Sequence, residues 1–296
     1  MIHSMKRGSA RFLFSAIFLG ILLLLLGLFV STGIYSGVKF SEEKGMTKIY
    51  LERKRFFADQ CQALSIEGKC LIIKEGGIYQ LSGIMDDGQI IVDADKEEKI
   101  TLKLDSVDIT CKDSAPLFVK SADQVVIKLK KGSVNYFRDG SEYKEVADGK
   151  IQPRACIDSR EDLKIKGPYG SLIVEGNYKH GICSSDDLKI KSGNIEIHAV
   201  NTALKGKDSV KIIDGKLVLD AGKDGIYSDQ IVRLEKGQIA IKASRYGIFG
   251  RESLNFSTDC QVTIEGSLSP VAGNDFLALP ESIQIIENSE PTDSKE

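Results

Sequence analysis

A segment of 22 to 25 residues recurs five times, its apolar residues fall into aligned alternating columns, and one uninterrupted apolar run stands near the N-terminus. Together these predict an all-β solenoid, a parallel β-helix of about 22 residues per coil, preceded by one transmembrane helix. The chain has 296 residues, with Lys+Arg 40 against Asp+Glu 42 and a formal net charge of −2. That balance lacks the cationic footprint of a general nucleic-acid binder. With 3 His in total, there is little material for His-based metal sites or triads.

The elements follow in chain order. Residues 12–34 read as the transmembrane signal-anchor, because Phe12 to Val30 carries no charge and reaches roughly 28 Å as a helix, about one hydrocarbon core. Lys6, Arg7 and Arg11 precede it, which keeps residues 1–11 in the cytoplasm and places the rest outside the cell. A cleaved signal peptide is the competing reading, since Val30-Ser31-Thr32-Gly33 offers small residues to a peptidase, and the product is then secreted. Residues 35–64 are expected as a juxtamembrane linker, 65–287 as the β-helix and 288–296 as a polar, disordered tail. All acidic residues follow position 40, so the part beyond the membrane is acidic, near −5.

The repeat aligns Cys156 to Ile165, Gly181 to Ile190, Ala203 to Ile212, Gly225 to Leu234 and Gly247 to Phe256, at offsets of 25, 22, 22 and 22. The longer first step coincides with an inserted turn, Gly167-Pro168-Tyr169-Gly170. Leu163/Leu188/Val210/Val232/Leu254 and Ile165/Ile190/Ile212/Leu234/Phe256 are expected as inward rows of the core. A second run per unit, from Leu172/Val174 to Val262/Ile264, adds further rows. The last run sits one residue late, which predicts a bulge near Cys260. Earlier runs (Ile72-Ile73, Tyr79 to Leu81, Ile90 to Val92, Thr101 to Leu104, Leu117 to Val119, Val125 to Leu129) are expected as the first coils. Val134 to Pro153 reads as a loop, and Phe276 to Ile286 as a cap on the last open edge.

The strings Gly77-Ile78-Tyr79-Gln80-Leu81-Ser82-Gly83, Asp87-Gly88-Gln89-Ile90-Ile91-Val92-Asp93-Ala94, Ile100 to Thr110 and Ser114 to Asp123, followed by the Ser-Asp-Asp-Leu-Lys-Ile and Lys-Gly-Lys-Asp-Ser-Val-Lys-Ile coils, occur in a distinctive order. In this order, over roughly residues 65–267, the chain resembles the bacterial cell-surface family of carbohydrate-binding β-helix proteins, of the clostridial type that binds cellulose and polygalacturonate. The resemblance implies a right-handed parallel β-helix shaped like the pectate lyases, bound calcium, and glycan binding without cleavage. One departure bears on calcium: the Asp-Gly-Ile turn of that family survives only at Lys223-Asp224-Gly225-Ile226.

Outward columns supply the candidate site residues. The column Glu161, Asp186, Asp208, Gln230, Glu252 stacks oxygen ligands of the kind calcium prefers, and Asp224 with Asp186, Asp208 and Asp229 forms the candidate calcium set. The opposing reading pairs these acids with the next column, Lys164, Lys189, Lys211, Arg233 and Asn255. Those cations are themselves candidate polysaccharide ligands, suited to a uronate or teichoic-type polyanion lying along the axis. Tyr178, Tyr227, Tyr246 and Phe249 sit at or beside coil turns and are candidates for stacking on sugar rings, or for turn packing.

An enzyme reading finds little support in the sequence. Asp186-Asp187 resembles the paired aspartates of pectin hydrolases, but His180-Gly181 precedes the pair instead of following it. Arg160, Arg233, Arg245 and Arg251 form no lyase motif. Of the six cysteines, Cys61 and Cys70 are the candidate disulfide, closing a short loop before the first coil. The expected function is therefore non-catalytic polysaccharide binding. A structural or adhesion module, and a polysaccharide lyase or hydrolase, are the alternatives.

Overall fold

The computed structural model describes residues 45–58, 62–146, 151–275 and 279–286. The Phe12 to Val30 run and the polar tail lie outside these residues, so the expected anchor does too. Among the described residues no helix is long and apolar enough to cross a membrane. Every regular element among them is a strand, 26 in all, wound into a parallel β-solenoid of about nine turns.

Each regular coil contributes one strand to each of three parallel ladders. Ladder A contains Ala155–Ser159, His180–Ser184, Thr202–Gly206, Asp224–Ser228 and the start of Tyr246–Phe256. Ladder B contains Gln124–Leu129, Asp162–Lys166, Asp187–Ile190, Ser209–Ile212, Ile231–Leu234 and the end of Tyr246–Phe256. Ladder C contains Val134–Asp139, Ser171–Gly176, Asn194–Ala199, Lys216–Ala221, Gly237–Ala243 and Cys260–Glu265. Parallel pairing puts equivalent positions of successive coils about 4.8 Å apart. The expected rows therefore form: Leu163, Leu188, Val210, Val232 and Leu254 stack in register and are all buried. The inward residues of all three ladders belong to one core cluster. Each buried Leu, Ile or Val contributes about 1.5–3 kcal/mol relative to exposure.

Several expectations are corrected. The segment read as linker up to residue 64 already carries the solenoid: Met46–Arg53 pairs in parallel with Gly77–Met85. It also pairs antiparallel with Arg55–Ala58, and Leu64–Glu67 pairs antiparallel with Cys70–Ile73. These two hairpins cover the first open edge, the liability every solenoid must protect. The early coils look irregular in sequence because Met46–Arg53, Gly77–Met85 and Lys99–Cys111 run through ladders B and C as single strands. A register shift between Leu81 and Gly83 marks the corner, opposite Ser106, whose φ is 60°. The buried Asn135 accepts there from the Val107 N–H at 3.0 Å, supplying the bond that the bent backbone loses.

Val134–Asp139 is a strand of ladder C and not loop, because its alternate residues Asn135 and Phe137 point into the core. No bulge occurs at Cys260, since Gly237 pairs with Cys260 and Ile239 with Val262 in regular register. The extra residue lies in the turn before it, where the Cys260 N–H bonds the Ser257 carbonyl. Ile283–Ile286 extends ladder C beside Cys260–Glu265, adding a strand to the edge expected to be capped. Cys70 Sγ faces Gln89 Oε1 at 3.6 Å; Cys61, its expected bridge partner, lies outside the described residues.

Residues 140–146 and 151–154 pack back on the solenoid as a strap. Tyr143 donates to Asp139 Oδ2 at 2.6 Å and stacks on Tyr178 with ring centroids 4.0 Å apart. At its end Arg154 donates to Asp158 through its backbone N–H at 2.9 Å and its guanidinium at 2.7 Å. Asp158, outward by register, is thereby fully buried. Burial lifts the Asp139 carboxyl to about 6, against hydrogen bonds from Tyr143 and the Asn177 N–H that lower it.

Two outcomes follow from this architecture. A Cβ on Gly225 would stand 2.3 Å from Ile241 Cγ2 and 2.6 Å from the Gly247 carbonyl oxygen. Gly225→Val is therefore expected to cost about 1–3 kcal/mol or more in urea unfolding, while the exposed Lys223→Ala stays within about 0.5 kcal/mol. For Asp139, the folded value lies above the unfolded value of about 3.9, so ionisation opposes folding. The penalty is absent below pH ~4, grows as pH rises and is complete above ~6. Relative to wild type, Asp139→Asn should gain up to about 3 kcal/mol between pH 4 and pH 7.5. A difference independent of pH would show an ordinary carboxyl at this position.

Candidate carbohydrate-binding faces

The outward row of ladder A reads Phe118, Asp158, Cys183, Lys205, Tyr227, Phe249 in paired register. Its first part is closed: Arg160 lies over the Phe118 ring, and Asp158 and Cys183 are buried. Beyond the strap the row opens. Tyr227 and Phe249 stack with centroids 4.8 Å apart and planes at 16°, and Tyr246 joins Phe249 at 4.8 Å and 31°. Lys205 Nζ stands 5.3 Å from the Tyr227 centroid and the Arg245 guanidinium 4.8 Å from that of Tyr246. The result is a half-buried platform of three rings with cations at its margin. Stacked coils hold the rings rigidly, so little side-chain freedom remains to be lost on binding.

Two of the charges around the platform are matched within the protein. Arg245 binds Asp224 with two bonds, 2.7 and 2.6 Å, and Thr202 donates to the same carboxylate at 3.2 Å. The Arg245 guanidinium is held more firmly as a cation, first by the hydrogen bond to Asp224. Arg251 bonds Asp229 at 2.9 Å and is held up first by its bond to Tyr227. This is the opposite of what a lyase base requires, since such a base must give up its proton. His180 is largely buried, and burial first, then Lys205, Arg154 and Lys179, push it down to about 4, leaving a neutral imidazole.

The remaining predicted residues do not join this platform. Tyr178 packs on Tyr143 with Lys179 4.6 Å above it, apart from Tyr227 and Tyr246. Lys164, Lys189, Lys211 and Arg233 align as expected, but on the outward side of ladder B. Beside them Lys103, Lys128 and Lys166 form a second row, with Lys191 following Ile190. Lys189 and Arg233 make no salt bridge among the described residues; Lys211 bonds Glu235 at 2.7 Å, not the acidic column, and Lys164 donates to Gln124 at 2.9 Å. Lys164 is lowered by partial burial and then by Lys189 and Lys191. At its C-terminal end a groove of about 500 Å³ opens between Arg233, Asn255, Ser257 and Asp275.

The candidate calcium set is likewise divided. Arginines hold Asp224 and Asp229. Asp186 and Asp208 remain neighbours across two coils; partial burial first, then the hydrogen bond to Asp208 and the surrounding acids, raise Asp186 to about 6. Elsewhere among the described residues Asp87, Cys111 and Asp113 converge to metal-ligand distances. The Lys69 ammonium already sits there, bonded to Asp87 at 2.8 Å and to Asp113.

Lys205 was legible in the repeat alignment, because it occupies the column of Tyr227 and Phe249. Asp158 and Arg154 were not, because nothing in the sequence shows the strap closing on its own coil.

The family described as carbohydrate-binding domain-containing protein matches residues 67–280. A protein of that description from Acetivibrio thermocellus is 42% identical over 154 residues, 51% of this chain and 53% of the relative, so the chain spans about half that relative's length. A solved structure described as the polysaccharide lyase-like protein from C. thermocellum, a gadolinium derivative, is 36% identical with a TM-score of 0.73. It covers 82% of this chain and 97% of its own. The chain belongs to the carbohydrate-binding domain-containing family.

Proposed function

We propose that this protein binds polysaccharide without cleaving it, and that sugar rings stack on Tyr227, Phe249 and Tyr246. The observation that carries this reading is the stack itself: three rings on two adjacent coils, half-exposed just beyond the strap. Aromatic faces meet the apolar faces of pyranose rings, while the Tyr hydroxyls and Lys205 reach the ring substituents. Non-catalysis is supported by chemistry. Asp187 is engaged by Ser209 at 2.7 Å, and the two arginines nearest the platform are held as cations. The lyase-like description belongs to the structural neighbour.

Display at the cell surface rests on the Phe12 to Val30 run and the cations before it, and is part of this proposal, as are the right-handed winding and the membrane anchorage. Calcium assistance, in this reading, rests on Asp186 and Asp208, the two members of the expected set that no arginine holds.

On a glycan array, Tyr227→Ala is expected to weaken the best-bound glycan about tenfold or more, and Tyr178→Ala to leave it unchanged. Equal losses for both variants would remove the platform from the reading. Repeating the array with a chelator tests the metal: binding that is unchanged takes calcium out of the proposal. Incubation of the bound glycan should release neither unsaturated uronides nor reducing ends, and release of either would restore the enzyme alternative.

A further inference from the structure

Ladder B is where the described chain enters the solenoid. Met46–Arg53 begins there, with Lys48 paired to Gln80 and Gln80 to Lys103. Lys128 and Lys166 continue that outward row. Lys191, whose N–H bonds the Ile165 carbonyl at 2.8 Å, holds the next place in it. Beyond Lys191 this row changes to Ile213 and Glu235. The middle row carries the charge onward, with Lys164, Lys189, Lys211 and Arg233 in register. From the coil of Lys103 to the coil of Arg233, six successive strands carry eight cations over a length of about 24 Å.

None of these eight side chains is buried. Lys103, Lys128, Lys166, Lys189, Lys191 and Arg233 make no salt bridge among the described residues. Lys211 bonds Glu235, and Lys164 donates to Gln124. The other acids of this side stand at its margins. Asp162 and Asp187 open their strands, on the row nearest ladder A, and Asp187 takes the Ser209 hydroxyl. Asp105, past Lys103, is held by Lys130 at 2.6 Å. Two adjacent rows on one parallel sheet thus make a band of positive charge that lies in a plane. Attraction to a charged surface fades within a Debye length, about 10 Å at 0.1 M salt, so cations add only when they share such a plane.

The chain ahead of Met46 says which anionic surface is near. Residues 31–45 separate the uncharged run Phe12 to Val30 from the first strand of ladder B. Their contour is roughly 50 Å at most. A membrane that holds the run keeps the solenoid within that reach, which raises the effective concentration of lipid at the cationic band.

We propose that the outward side of ladder B docks on the anionic lipid surface of the membrane that holds the anchor. The proposal rests on the reading of Phe12 to Val30 as a membrane anchor and adds the surface on which the domain lies. Ile226 of ladder A and Val232 of ladder B point into the same core, so Tyr227 and Arg233 point away from it on opposite sides of the corner at Asp229 and Gln230. A domain lying on ladder B therefore still offers the ring platform of ladder A to solvent.

The test uses the full chain reconstituted into vesicles of phosphatidylcholine, alone or with about 30% phosphatidylglycerol. Lysines are acetylated with a membrane-impermeant reagent, mapped by mass spectrometry, and compared with Lys223, which lies off ladder B. On phosphatidylglycerol, Lys128, Lys189 and Lys191 should react at least about fivefold more slowly than on phosphatidylcholine, and about 0.5 M NaCl should abolish the difference. Lys164→Gln with Lys189→Gln should lose at least half of the protection at Lys128 and Lys191. Both substitutions lie outside the core, and a melting temperature close to wild type confirms the fold.

Docking is overturned if the lysines react alike on both vesicles, or if the double variant keeps full protection. It is also overturned if soluble polyuronate protects these lysines on neutral vesicles while phosphatidylglycerol does not, which makes an acidic polysaccharide the occupant. Failure of the anchor reading looks different, because the full chain then does not float with phosphatidylcholine vesicles. Flotation with phosphatidylglycerol vesicles alone, with the same lysines protected, would refute the anchor and keep the docking face. Flotation with neither would refute both.

Discussion

Parallel register is the constraint on which the rest of this structure depends. Each strand of the regular coils exchanges backbone hydrogen bonds with the strand one coil earlier and one coil later, so equivalent residues are placed about 4.8 Å apart with no freedom to slide. A one-residue slip would turn each inward row to solvent. For apolar residues the consequence is favourable, and rows such as Leu163 to Leu254 stack like on like. For charged residues the same proximity is a cost. Lys164 is lowered by partial burial and then by Lys189 and Lys191, and Asp186 is raised to about 6 by partial burial and then by Asp208 and the surrounding acids. For aromatic residues it is an opportunity, because Tyr227 and Phe249 are brought to stacking distance by backbone pairing alone.

Charge compensation runs mainly along the axis. Arg245 reaches Asp224 one coil back, Arg251 reaches Asp229, and Lys211 reaches Glu235 one coil forward. An outward column at the corner and an outward column on a strand belong to different directions in space, even though they are three residues apart in sequence. Compensation between the acidic and basic columns was therefore expected from sequence and is not the main pattern found. It also explains why the acids proposed for calcium do not act together: two are already met by guanidinium groups with good geometry.

The rows were legible in sequence because period-two alternation and a constant offset leave one solution for the inward positions. The early coils were less legible, since their strands cross from ladder B into ladder C without a break. Gly237 to Cys260 illustrates a different limit. One extra residue between two rows implies that a residue must be absorbed, but whether by a bulge or by a turn is decided by local hydrogen bonding. The site was legible by column and not by face. Tyr227, Tyr246 and the Lys/Arg row were each identified, yet only the position of the corner at Asp229 and Gln230 separates them.

The platform's location also follows from a departure from the repeat. The outward row of ladder A runs the length of the solenoid, but residues 140–146 and 151–154 form a strap that later coils of 22 residues lack. Arg154 places a guanidinium against Asp158 and a bond on Ser185 at 2.9 Å, so the strap itself occupies that part of the row. Removing water from Asp158 is tolerable because the arginine and the backbone N–H of residue 154 satisfy the carboxylate together. Past this point side chains of the row again reach solvent, and there the residues change from Asp158 and Cys183 to Lys205, Tyr227 and Phe249. The repeat supplies a rigid ruler, and the insertion determines which part of it a ligand can touch.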